Sequence, residues 1–171
     1  MVLDECFMEF CETESSMLPE MEQYDNLIII RAFTKIFAIP GVRLGYLICS
    51  NHVLRERIQR QLPEWNLSAF AQAAGCTCAK QMHFVKKTAA YVREERKFLT
   101  EELKRLKVTV YPGEADFLLI YSEQPLYERL LEKGILIRDC ENFRGLKKGF
   151  YRIAVKTREE NEVLIRNLSD R

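Results

Sequence analysis

The clearest signal along the chain is a change of hydrophobic period. LIIIRAF (residues 27–33) is a continuous β-branched run, the pattern of a strand covered on both faces of an α/β sheet. VLDECFMEF (2–10) predicts the end of a buried strand passing into a loop, and RLGYLIC (43–49) predicts another strand after the Pro40-Gly41 turn. From Asn51 to Lys80 the apolar residues take helical spacing, with a break at Leu62-Pro63. A longer helix follows in HFVKKTAAYVREERKFLTEELKRL (83–106), where the Glu- and Lys-rich run of residues 93–107 forms a solvated face. Beyond Lys107 the period shortens again. KVTVYPGEADFLLIYS predicts two short strands around Pro112-Gly113, and PLYERLLEKG a helix stopped by Gly134. ILIRDC and FYRIAV read as strands. TREENEVLIRNL reads as a closing helix with Thr157 and Glu160 forming a capping box. Residues from about 108 onward therefore predict an α+β unit of their own.

Composition narrows the class. Lys+Arg 26 against Asp+Glu 25 leaves a net charge of +1, which gives no electrostatic case for a nucleic-acid or membrane-surface partner. The longest apolar run, Leu27 to Ile30, is strand-sized and not membrane-spanning. Asp4, Glu5 and Glu9 at the start argue against a secretory signal. The six cysteines (6, 11, 49, 76, 78 and 140) are read as free thiols in a reducing cytoplasm. His52 and His83 lie far apart and there is no CxxC pair, so no metal site is expected.

One segment, RAFTKIFAIPGVRLGYLICS (31–50), carries more chemistry than its neighbours. Lys35 sits among Phe33, Ile36 and Phe37, and burying an ammonium there is costly. Either it reaches out to the surface, or it is desolvated and its lowered pKa is put to use. Taken singly, Asp4 reads as a strand-end cap and Arg43 as a charge at a strand start. Arg138 and Arg152 alternate with apolar residues, as on the solvent face of a sheet. In PEWNLSAFAQAAG (63–75), Trp65 is assigned to core packing and Asn66 to helix capping; Arg144 is assigned to a surface loop.

Taken together, these stretches resemble a known family. AFTKIFAIPGVRLGY, preceded by VLDECF and followed by GILIRDCENFRGL and YRIAVKTREEN, resembles the fold-type I pyridoxal-phosphate enzymes of aminotransferase class I/II. Within that group the chain is similar to histidinol-phosphate aminotransferases and threonine-phosphate decarboxylases. The resemblance covers essentially the whole chain and corresponds to the C-terminal half of a family member. It implies an α/β fold: the C-terminal part of the transferase large domain (three strands plus helices) over residues 1–80, a connecting helix over 81–107, and a complete α+β small domain over 108–171.

The resemblance also implies roles. Lys35 holds pyridoxal 5′-phosphate as a Schiff base, Asp4 pairs with the cofactor's ring nitrogen, and Arg43 and Thr34 hold its phosphate. Arg152 clamps the substrate carboxylate, and Arg138 a distal phosphate. Two positions depart from the pattern. Phe7 replaces a tyrosine that meets the cofactor's phenolate, and Ala32 replaces a serine that helps hold the phosphate; each loss costs roughly 1 kcal/mol. The implied activity is transfer of an amino group from an amino acid or amino phosphate to a 2-oxo acid, by a cytoplasmic homodimer. A threonine-phosphate-type decarboxylase uses the same residues. In a reading of a different class, the truncated chain binds cofactor weakly, turns over little and only self-associates through an exposed apolar sheet edge.

Overall fold

Residues 1–12 and 15–169 are described in a computed structural model of the chain. They fall into two units, residues 1–89 and the residues from Ala90 onward.

In the first unit, β1 (Val2–Asp4), β2 (Ile28–Ala32) and β3 (Gly45–Ile48) form a sheet in that order. β1 runs parallel to β2, with Asp4 opposite Ile30, and β3 runs antiparallel to β2, with Ala32 opposite Gly45. Leu3, Ile29 and Ile48 share one row of the sheet and pack with Met17, Met21 and Leu27. The next row carries Asp4, Ile30 and Leu47 on the opposite face. Here the expectation of strands buried on both sides fails: Ile30 is 38% exposed and Val2 60%, because within this unit only one face is packed and β1 is an edge strand.

Beyond β2 the chain turns through a short helix, α1 (Phe33–Ile36), and a 3-10 turn at Pro40–Val42. α2 (His52–Gln59) starts at Asn51, whose side chain accepts the Leu54 N–H. α3 (Ala69–Cys78) is capped by Ser68 through the Ala71 N–H, and not by Asn66 as expected. Trp65 does not pack in a core either. It is 92% exposed and adopts a left-handed backbone (φ +57°) in the turn between the two helices.

The boundary between the units falls inside α4 (Met82–Arg105). Its second-unit part buries Val92, Glu95, Arg96, Leu99 and Leu103, a stripe at helical spacing. The unit continues with β4 (Thr109–Val110), β5 (Phe117–Tyr121), α5 (Leu126–Glu132), β6 (Arg138–Asp139), β7 (Phe150–Ala154) and α6 (Arg158–Ser169). The four strands pair antiparallel in the order β4-β5-β7-β6. Leu118, Ile120, Tyr151 and Ile153 fill the buried face of the two central strands. Gly134, at φ +74°, ends α5 as its sequence position predicts.

Glu95, buried in α4, accepts Arg158 through Nε and Nη2 and Asn161 through Nδ2, tying α4 to α6. The capping box is present. The Thr157 N–H donates to Glu160 Oε2 at 3.3 Å, and the Glu160 N–H to Thr157 Oγ1 at 3.4 Å. Thr157→Ala is expected to lower stability by about 1 kcal/mol, read as a lower urea midpoint with the far-ultraviolet dichroism of the native chain unchanged.

Candidate active site

The chemistry-bearing residues fall into two groups, one in each unit. In the first, the parallel strands β1 and β2 bring their carboxyl ends side by side, where open α/β sheets hold ligands. Asp4 is the last residue of β1, and Lys35 follows the end of β2 in α1.

The Asp4 carboxylate sits in a tight turn, accepting the Cys6 N–H at 3.0 Å. Hydrogen bonds from the Cys6 thiol and from its backbone N–H, together with the Lys35 charge, hold Asp4 below the usual carboxylate range. The same contact acts in reverse on the thiol. Burial and the neighbouring Asp4 push Cys6 up to about 11, so at neutral pH it stays a thiol and not a nucleophile, with Sγ 4.0 Å from the Ile30 carbonyl oxygen.

Lys35 is exposed, and its Nζ lies 5.2 Å from the centre of the Phe7 ring. The side chain reaches out and its apolar neighbours pack without it. Ile36 is buried, Phe33 packs on Phe37 and Tyr46, and Phe37 stacks on Phe84. Phe7 lacks the expected phenol, but its ring face attracts the cation.

Thr34 is buried in α1, and Arg43 follows the adjoining 3-10 turn with a left-handed backbone (φ +55°). Arg43 Nη1 donates to the Pro40 carbonyl at 3.1 Å, and among the described residues the guanidinium meets no carboxylate. Asp4, Cys6, Phe7 and Lys35 are thus brought together, with Thr34 and Arg43 on the segments that flank Lys35.

In the second unit Arg138 and Arg152 are direct partners across β6 and β7. Both are exposed. Arg138 donates to Asn142 Oδ1 at 3.0 Å and lies over Phe143, while Arg152 lies over Phe117. Among the described residues neither forms an ion pair. Like charges directly opposed on a strand pair repel, and two planar forks side by side suit an anion with several oxygens.

Sequence reasoning missed Glu5, Ser16 and Arg31, which form a polar cluster around the buried Glu5 carboxylate at the same carboxyl ends of β1 and β2. It also missed Cys6 as the partner of Asp4. An acid just after a strand and an arginine late in another are visible in the sequence. Their pairing, 26 positions apart, is not.

Residues 1–168 match the family model described as aminotransferase class I and II. A threonine-phosphate decarboxylase of Salmonella typhimurium is 36% identical over 169 residues, covering 96% of this chain and 46% of the relative. The crystal structure of a histidinol-phosphate aminotransferase from Clostridium acetobutylicum superposes with a TM-score of 0.92 at 36% identity, covering 98% of this chain and 52% of that one. A histidinol-phosphate aminotransferase from Sinorhizobium meliloti, solved in complex with pyridoxal-5′-phosphate, shares the fold with a TM-score of 0.85 at 20% identity, over 98% of this chain and 47% of that one. The chain spans about half the length of these relatives. On the family match over nearly its full length, the chain belongs to the aminotransferase class I and II family.

Proposed function

We propose that this chain carries the lysine-bearing part of a pyridoxal-phosphate aminotransferase that takes an amino group from an amino acid or amino phosphate and delivers it to a 2-oxo acid. The observation that carries the reading is the placement of Asp4 and Lys35 at the adjoining carboxyl ends of parallel β1 and β2. The donor set fits the cofactor. Lys35 offers an accessible amine for the aldehyde, Asp4 a carboxylate kept ionised for the ring nitrogen, and Arg43 with Thr34 groups for the phosphate. Bound there, pyridoxal phosphate supplies an electron sink for bonds at the substrate's α-carbon. Asp4 keeps the ring nitrogen protonated, and Lys35 is the base positioned to move the α-proton. Arg152 holds the substrate carboxylate and Arg138 a phosphate or other second anion. The same proposal reads residues 1–80 as part of a cofactor-binding domain, 81–107 as a connecting helix and 108–171 as a small domain, in a cytoplasmic homodimer.

The test is chemical trapping. The chain is mixed with pyridoxal 5′-phosphate, reduced with borohydride, and the modified lysine is mapped by mass spectrometry. Saturable label on Lys35 is expected; label spread evenly over the surface lysines overturns the reading.

A phosphate-ester decarboxylase is the second reading, favoured by the 36% identity to the Salmonella decarboxylase. Release of carbon dioxide from threonine phosphate, without consumption of a 2-oxo acid, separates it from transamination. A third reading, a non-catalytic chain that self-associates, draws on the exposed Val2 and Ile30. Sedimentation that reports association without any label on Lys35 favours it.

A further inference from the structure

Glu5 and Arg31 have no part in the reading above, yet they are tightly constrained. Glu5 is 4% exposed, and the Arg31 side chain 17%. The Glu5 carboxylate accepts Arg31 Nη2 at 2.8 Å and Nε at 3.2 Å, the Ser16 hydroxyl at 2.8 Å and the Met17 N–H at 2.9 Å. Arg31 Nη2 also donates to Ser16 Oγ at 2.9 Å, and that oxygen accepts the Leu18 N–H at 3.1 Å. The Glu5 backbone N–H donates to the Ile30 carbonyl at 2.9 Å. Three stretches of chain therefore converge on one carboxylate: the end of β1, residues 16–18, and the end of β2.

The location gives the cluster its meaning. Glu5 lies between Asp4 and Cys6, the two ends of the turn that holds the Asp4 carboxylate. Arg31 lies four residues before Lys35 on the strand that leads into α1. The Glu5 N–H on the Ile30 carbonyl and its pinned carboxylate together fix the backbone one residue beyond Asp4, and with it the turn in which the Asp4 carboxylate sits. Burial pushes Glu5 up, but Arg31, the Met17 N–H and Ser16 outweigh it and keep the group ionised. Burial pushes Glu9 up, and its carboxyl also lies in the field of Arg31, but the direct hydrogen bonds to the guanidinium come from Glu5. A buried ion pair adds little stability over apolar residues of the same size, but its directional bonds fix geometry.

We propose that Glu5 and Arg31 are positioning residues: their ion pair sets the facing of Asp4 and the path of Lys35 at the carboxyl ends of β1 and β2. The consequence for cofactor capture rests on the function proposed above, whereas the consequence for Asp4 does not.

The experiment compares the full chain with a Glu5→Leu/Arg31→Met double variant, which replaces both charges by apolar groups. Three quantities are read: the urea midpoint, the Asp4 titration by carbon-13 NMR, and the borohydride-trapped pyridoxal 5′-phosphate on Lys35 relative to other lysines. In a variant that stays folded, Asp4 is expected to titrate nearer the ordinary carboxylate range, and the Lys35 share of label to fall about 10-fold, as for groups that orient a ligand-holding residue. Unchanged Asp4 titration and unchanged label in that folded variant overturn the proposal. If the parent chain takes no label on Lys35 while Asp4 still shifts in the variant, the cofactor reading fails and the positioning role stands. Should the double variant not fold, Glu5→Gln, which keeps an acceptor for the Met17 N–H, is read by the same three quantities with the same meanings.

Discussion

Lys35→Ala is expected to abolish the saturable Schiff-base absorbance of the chain with pyridoxal 5′-phosphate, leaving only the slow, non-saturable reaction of exposed lysines elsewhere. The reason is chemical before it is structural. Only an unprotonated primary amine adds to the aldehyde, and Lys35 is the lysine whose charge acts on the Asp4 carboxylate. Alanine also removes the cation from the face of Phe7 and from the field of Asp4. Lys35→Arg is therefore the informative companion, since a guanidinium keeps both electrostatic contacts and stays protonated. Loss of the band in both variants, with urea midpoints near that of the parent, assigns the effect to the missing amine. A band that survives in either variant removes Lys35 from the site.

The largest stability effect from a small change is expected at Gly149, just before β7. Its backbone has φ +96°, a region that strains any residue with a Cβ. A Cβ there would stand 2.7 Å from the Ser122 carbonyl oxygen and 2.8 Å from Tyr121 Cε2. The Ser122 oxygen is held close because the Ser122 N–H donates to the Gly149 carbonyl at 2.9 Å, where the β5–β7 pairing ends. Backbone strain and overpacking add, so Gly149→Ala should cost about 2–5 kcal/mol. The corresponding fall in Tm is on the order of 10 °C. Gly113 is the control. Nothing stands within 4 Å of its missing Cβ and its backbone is not left-handed, so Gly113→Ala should stay within about 0.5 kcal/mol of the parent. Similar losses in both variants would refute the steric argument.

What the sequence made legible was written in short spans. The long helix, the Thr157–Glu160 cap and the Gly134 stop each depend on residues within one turn of each other. The family resemblance points to Asp4 and Lys35 as candidates, and the strands place them at adjoining carboxyl ends. What failed needed information from elsewhere in the fold. Asn66 and Ser68 are both good helix caps, and only the direction of the chain leaving Trp65 selects Ser68. Trp65 reads from the sequence as a core residue, but the turn that presents it leaves it exposed. The β-branched run of β2 looks the same whether one face or two are covered, so the exposure of Ile30 had no local sign. The Glu5–Arg31 bridge is the extreme case, because charge type is visible in a sequence and partnership is not.

The facing arginines of β6 and β7 also govern the solvent around them. Two exposed guanidiniums held opposite each other, neither in an ion pair among the described residues, draw mobile counter-ions from the buffer. Any anion that arrives there exchanges with that ion atmosphere and does not meet bare charge. Its binding then draws on the freedom regained by displaced ions, and weakens as ionic strength rises. Multivalent buffer anions such as phosphate or sulfate compete for the same two forks, so the salt in which this chain is handled is itself a ligand choice.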